Sequence, residues 1–196
     1  MAKAKRAVTG FKGITLAPIV KNDVTEYEAT AGVPLPYAGG MSRTAKESTT
    51  DLYYDDDLYA QVKDITGEEV EIRVAEVELE RMAEFGLGTF DPATETFEGD
   101  FTIAGKEYAL RFSTDTVAKL PYYFNYRVFE LNSIKFDNFT TKNDSLTVCE
   151  VIITGVFKRP ALPTLQPYSI MRLAEDKSNE AACNAFLVAP ETKPVP

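Results

Sequence analysis

Strict alternation is the clearest signal in the chain: Val70, Ile72 and Val74 interleave with Glu69, Glu71 and Arg73, the pattern of a half-buried strand. Similar extended patterns recur along the sequence. Phe11–Val20 reads as a first strand with Ile14 and Leu16 on one face, and Pro18 places it at an edge or bends it. Lys21–Glu28 is polar and turn-like, and Gly32–Gly40 is a Gly/Pro loop or a short extended piece. Met41–Thr50 suits an exposed strand or long loop. Asp51–Tyr54 and Leu58–Ile65 are short strands joined at Asp55-Asp56-Asp57, with a further turn at Gly67. At Val77 the period changes. Leu79, Met82 and Ala83 fall at helical spacing for about two and a half turns, stopped by Gly86 and Gly88.

Strands return at Phe97–Ile103 and Lys106–Phe112, a hairpin about Ala104-Gly105 in which Tyr108, Leu110 and Phe112 share a face. Tyr122–Leu131 is an aromatic-rich strand that Ser133–Phe136 continues or pairs with. Ser145–Phe157 is apolar on both parities, so both its faces should be covered. Beyond Arg159, Pro160, Pro163 and Pro167 mark a linker; Tyr168–Leu173 is a late strand, Ala181–Val188 another short element and Pro190–Pro196 a frayed tail. The fold class is therefore mainly β with one short helix. It divides into a basic N-terminal arm (1–10), a β-domain (11–160) and a C-terminal arm (161–196) with an extra strand.

Charge sharpens the picture. Residues 51–100 hold 16 Asp or Glu against 3 Lys or Arg, a net of −13 in a chain whose total is −9. The excess is local, so it bears on what that surface meets. No apolar run nears the length of a bilayer span, and no apolar core follows Lys3, Lys5 and Arg6 to make a signal peptide. Cys149 and Cys183 form no disulfide framework and suit a reducing compartment, though a lone bridge between them is compatible with the sequence. The chain has no His, which removes the usual proton carrier near neutral pH and the commonest transition-metal ligand. This leans away from an enzyme.

Asp51, Asp55, Asp56 and Asp57 offer carboxylates for Ca²⁺, but the spacing lacks the Gly and closing Glu of an EF-hand loop, so a solvated acidic turn is the better reading. With no His to activate it, Cys149 reads as a buried thiol. No cofactor or metal is expected.

The order of the parts resembles the major tail tube proteins of long-tailed, non-contractile bacteriophages. The resemblance rests on Phe11-Lys-Gly-Ile-Thr-Leu-Ala-Pro, Asp51-Leu-Tyr-Tyr-Asp-Asp-Asp-Leu, Gly67-Glu-Glu-Val-Glu-Ile-Arg-Val, a helix ending near Gly86, Tyr108-Ala-Leu-Arg-Phe and Thr141-Lys-Asn-Asp-Ser-Leu. It covers Phe11 to Arg159; Asn143 stands where the family often has Gly, and the segment after Pro160 matches poorly. It implies a β-sandwich or half-barrel that forms stacked hexameric rings conducting double-stranded DNA without specific binding. The implied partners are further copies of the chain, a tape measure protein, a tail terminator and a distal tail protein, with no membrane. The implied location is the virion, after assembly in the host cytoplasm.

On this reading Glu69, Glu71 and Arg73 face the bore. Lys3, Lys5 and Arg6, with Met41, Arg43 and Lys46, bridge rings by meeting Asp55, Asp56 and Asp57. A monomeric β-sandwich binding module, Ca²⁺-dependent or not, and the tube protein of a secretion apparatus are the alternatives.

Overall fold

Period-two patterning buries what it should: Val70, Ile72 and Val74 are at most 2% exposed, while Glu69 and Arg73 are open to solvent. The computed structural model describes residues 8–35, 38–54, 57–74, 79–84, 88–99, 105–116, 120–140 and 147–194. Side chains are described within these ranges except at 8–11, 38–39, 45–54, 57–66, 81, 115–116, 136–140 and 147–150. The strands in the first part of the chain are β1 (Val8–Asn22), β2 (Glu26–Ala29), β3 (Val33–Pro34), β4 (Ala38–Tyr54) and β5 (Asp57–Val74). Helix α1 (Leu79–Glu84), β6 (Gly88–Asp91), β7 (Thr96–Gly99), β8 (Glu107–Thr116) and β9 (Tyr122–Thr140) follow. The chain ends with β10 (Thr147–Lys158), β11 (Tyr168–Arg172), α2 (Glu180–Val188) and β12 (Glu191–Pro194).

Every strand pair is antiparallel, and the main sheet runs β12-β2-β1-β8-β9-β10-β5-β4, with β3 on β1 and β11 on β9. Strand β9 is its spine. One edge of β9 carries β8 along Tyr122–Glu130; the other carries β11 along Tyr122–Tyr126 and then β10 along Val128–Thr140. The sheet curls so that β4 approaches β1. Its inner face holds the main core: Ile14, Leu16, Ile72, Leu110, Phe129 and Ile153, with Met82 of α1 packed on them. Each large apolar side chain buried there is worth about 1.5–3 kcal/mol. Gly155 belongs to this packing, because a Cβ there would lie 2.5 Å from the Phe129 ring and 2.4 Å from the Glu130 carbonyl oxygen.

Several expectations are corrected. Pro18 does not mark an edge: β1 is internal, with β8 on one side and β2 and β3 on the other, and its ladder with β2 shifts register just beyond, between Ile19 and Lys21. Between Lys21 and Glu28 the turn is confined to Asp23–Thr25, and Glu26 already starts β2. Gly67 makes no turn. It lies inside the 18-residue β5, where a register shift against Lys46 and Glu47 absorbs the break in pattern. The described part of Phe97–Ile103 pairs with β6 in a separate two-stranded sheet rather than with β8. Gly105, at φ +87°, donates its N–H to the Leu131 carbonyl.

The C-terminal segment is the largest correction. Ala181–Val188 lies in a second helix, and the expected frayed tail forms β12 on the edge of β2. The proline-marked linker is likewise docked: Leu162 is 2% exposed among Tyr27, Ala29, Ala109 and Val128. Together these pieces strap the outer face of β1, β8 and β9. Gly32 permits the closest approach, since it donates to the Val188 carbonyl and a Cβ there would lie 2.6 Å from the Leu187 oxygen.

Candidate assembly surface

Strands β4, β5, β10 and the second half of β9 form a four-stranded unit within the sheet. Among the described residues, β4 pairs only with β5 along its 17 residues, and β9 beyond Leu131 pairs only with β10. Among the described residues, both flanks of the unit thus present backbone N–H and C=O groups to which no further strand is paired. Long bare edges of this kind template pairing with another chain.

Register adds a second feature. The β5–β10 ladder covers only Glu68–Val74 against Val151–Phe157. Among the described residues, Asp57–Ile65 of β5 therefore pair with β4 alone, and Thr147–Glu150 of β10 with β9 alone. Because β5 and β10 are antiparallel, these two ribbons leave the unit at opposite ends. A two-stranded ribbon is marginal in water by itself and gains stability by docking on something.

The face of the unit opposite the core is polar. Cross-strand register lines up Ser42, Glu71, Thr154 and Ser133 in one row, and Thr44, Glu69, Val156 and Glu130 in the next. Ser133 and Thr154 share a hydroxyl hydrogen bond of 2.7 Å, and Arg73 Nε donates to Glu71 Oε1 at 2.8 Å. Lys158 pairs with Glu130. With Arg73, Lys135 and Lys158 set against Glu69, Glu71 and Glu130, the described charge of this face is balanced.

The residues singled out from sequence are only partly brought together. Glu69, Glu71 and Arg73 share the polar face. Met41 is half-buried and packs against the main core. Arg43 points to the core side, over the Tyr126 ring at 5.6 Å and 3.4 Å from Glu68. Lys46 and Asp57 pair through their backbones with Gly67 and Tyr54, and their side chains lie outside the described set. Lys3, Lys5, Arg6, Asp55 and Asp56 lie outside the described residues, as do the side chains of Asp51 and Cys149. Among the described residues no group of three His, Cys, Asp or Glu could hold a metal ion, and no helix is long and apolar enough to cross a membrane.

A polar cluster beneath the C-terminal strap was not anticipated. Arg111 and Arg127, 1% and 8% exposed, stand on β8 and β9. Arg127 Nε donates to Glu191 Oε1 at 3.1 Å, Asn125 Nδ2 to Glu191 Oε2 at 2.8 Å, and Tyr27 Oη to the Arg127 carbonyl at 2.7 Å. Arg111 Nη1 donates to the Ala189 carbonyl, while its Nε and Nη2 have no partner. Burial lowers the Arg111 pKa and, helped by Glu191, raises that of Tyr27. The available signal was the position of each arginine inside an apolar β run, Leu110-Arg111-Phe112 and Tyr126-Arg127-Val128, which marks a strand covered on its second face as well.

The class these observations define is a mainly β, antiparallel protein with a four-stranded unit whose two flanks pair with no further strand among the described residues. No known protein family and no curated protein matches the chain significantly.

Proposed function

We propose that the chain is the major tail tube subunit of a long-tailed, non-contractile bacteriophage. Copies join flank to flank into hexameric rings, the rings stack through the terminal ribbons, and the tube conducts double-stranded DNA during ejection. The carrying observation is the four-stranded unit with two bare edges and a ribbon at each end. The resemblance of Phe11–Arg159 to that family supports the same reading. Edge-to-edge closure removes both bare edges at once, and head-to-tail contacts along the axis make a filament. Tape measure, tail terminator and distal tail proteins would meet the tube along its length and at its ends.

Simple geometry agrees. Six four-stranded units make a barrel of about 24 strands, and at about 4.8 Å per strand and a tilt of about 40° its circumference is roughly 150 Å. The backbone diameter is then about 48 Å, and inward side chains leave roughly 36 Å, enough to clear a duplex. The polar face carrying Glu69, Glu71 and Arg73 would line this bore. Its paired charges and hydroxyl groups offer DNA no cationic grip.

Negative-stain microscopy of the purified protein tests the reading, first alone and then at rising concentration with tail-tip complexes as nuclei. Rings or tubes are expected. Isolated globules under every condition would overturn it.

A further inference from the structure

Beside β11 the sheet splits. Strands β10 and β11 lie along the same edge of β9, so β11 takes up the line that β10 leaves at Lys158. Strand β5 flanks β10, whereas no strand flanks β11 among the described residues. Between β11 and the β4–β5 pair lies an open cleft of about 490 Å³. Its floor is aromatic: Tyr126 stacks on Phe157 at 4.0 Å and meets Tyr168 at 5.7 Å. Tyr168 and Ile170, partnered with Tyr126 and Phe124 across the ladder, remain 51% and 50% exposed. On the rim Arg43 is paired with Glu68 and Lys158 with Glu130, which leaves Arg159 as the unpaired cation among the described lining residues of a chain of net charge −9.

The complementary piece is on the same chain. Strands β6 and β7 form a two-stranded sheet held by α1 and by Phe97 on the main core, and each has a bare outer edge among the described residues. Residues 88–99 include Asp91, Glu95 and Glu98 and no Lys or Arg. Their turn is pre-formed, with Asp91 accepting from the Ala93 N–H at 2.9 Å and the Thr94 hydroxyl at 2.9 Å.

We infer that the cleft beside β11 is a strand slot for a second copy: the acidic β6–β7 hairpin of one subunit adds to the bare edge of β11 in another. Backbone pairing supplies the affinity, as in other strand additions. Tyr168 and Ile170 lose their exposure, and Glu95 and Glu98 meet Arg159 on the rim. The contact depends on the proposed function only in requiring that copies associate.

A charge swap and a peptide test it together. A labelled synthetic peptide of residues 88–99, cyclised through added terminal cysteines, is titrated with the full chain and followed by fluorescence anisotropy. Saturable, salt-sensitive binding is expected. Arg159→Glu should weaken it about tenfold or more, and a Glu98→Arg peptide should recover most of that loss on the Arg159→Glu chain. No binding, an indifferent Arg159→Glu chain, or no recovery would each overturn the slot. Peptide binding without tubes under the microscope would leave the slot standing and sink the conduit; tubes without peptide binding would do the reverse.

Discussion

Two arginines and one carboxylate share the space beneath the C-terminal strap, and their arithmetic is uneven. Glu191 is the anion that faces both buried cations, whereas Arg111 uses only Nη1 and leaves Nε and Nη2 without partners. Removing one partner of a buried pair strands the other in a poor dielectric, while replacing an ill-satisfied buried charge by an apolar group of similar size is often close to neutral. Glu191→Gln should therefore cost about 3 kcal/mol of unfolding free energy in urea. Arg111→Met should cost less than about 1 kcal/mol, or stabilise. Equal losses, or the opposite order, would show that the network is not governed by this charge imbalance. On the other face of β8, burial in the main core pushes the Tyr108 hydroxyl up to about 12, so the phenol stays neutral throughout the usable pH range.

At the scale of elements, the β1–β2 turn gives a pH-dependent test. Asp23 Oδ1 accepts from the Thr25 hydroxyl, the Thr25 N–H and the Glu26 N–H, at 2.6, 2.7 and 2.8 Å. These bonds, led by the Thr25 hydroxyl, lower its pKa from 3.8 to about 2. A depressed carboxylate stabilises the fold above its unfolded value and loses that contribution as pH falls through the folded one. The melting-temperature gap between wild type and Asp23→Ala should therefore be constant above pH 4 and shrink toward pH 2. A gap that widened on acidification would contradict the assignment. Elements of this kind were partly legible in the sequence. Val70, Ile72 and Val74 announced their strand because one face is wet. Gly67 was misread because a bulge and a turn use the same residue, and only the register with β4 tells them apart. The strap was illegible for a different reason: Ala181–Val188 buries little more than Cys183, and Thr192–Pro194 are exposed, so neither element carries a strong periodic signal. Their positions are set by Arg127, Asn125 and Gly32, far away in sequence.

For the whole molecule, the decisive quantity is the sign of the surface turned toward DNA. Residues 51–100 carry a net −13, yet the described polar face sets three carboxylates against three cations. Neutrality through ion pairing serves a conduit as well as net repulsion does, because affinity for DNA grows with the number of phosphates that cations neutralise. Glu71 holds Arg73 at 2.8 Å. Glu71→Lys adds two positive charges per subunit and releases Arg73 as well, and a six-fold ring repeats the change at one level of the bore. Tubes assembled from Glu71→Lys protein should co-sediment short duplex DNA at about 50 mM salt and release it as salt rises toward about 200 mM, the steep dependence expected of counterion release. Wild-type tubes should carry none down at either salt. Charge added to the outer wall would bind DNA with no need for an open end, so capping the tubes with a terminator protein should abolish the effect only if Glu71 faces the bore. Retention that survives capping, or equal retention by wild type, would place this face on the outside and leave the four-stranded unit without its assigned role.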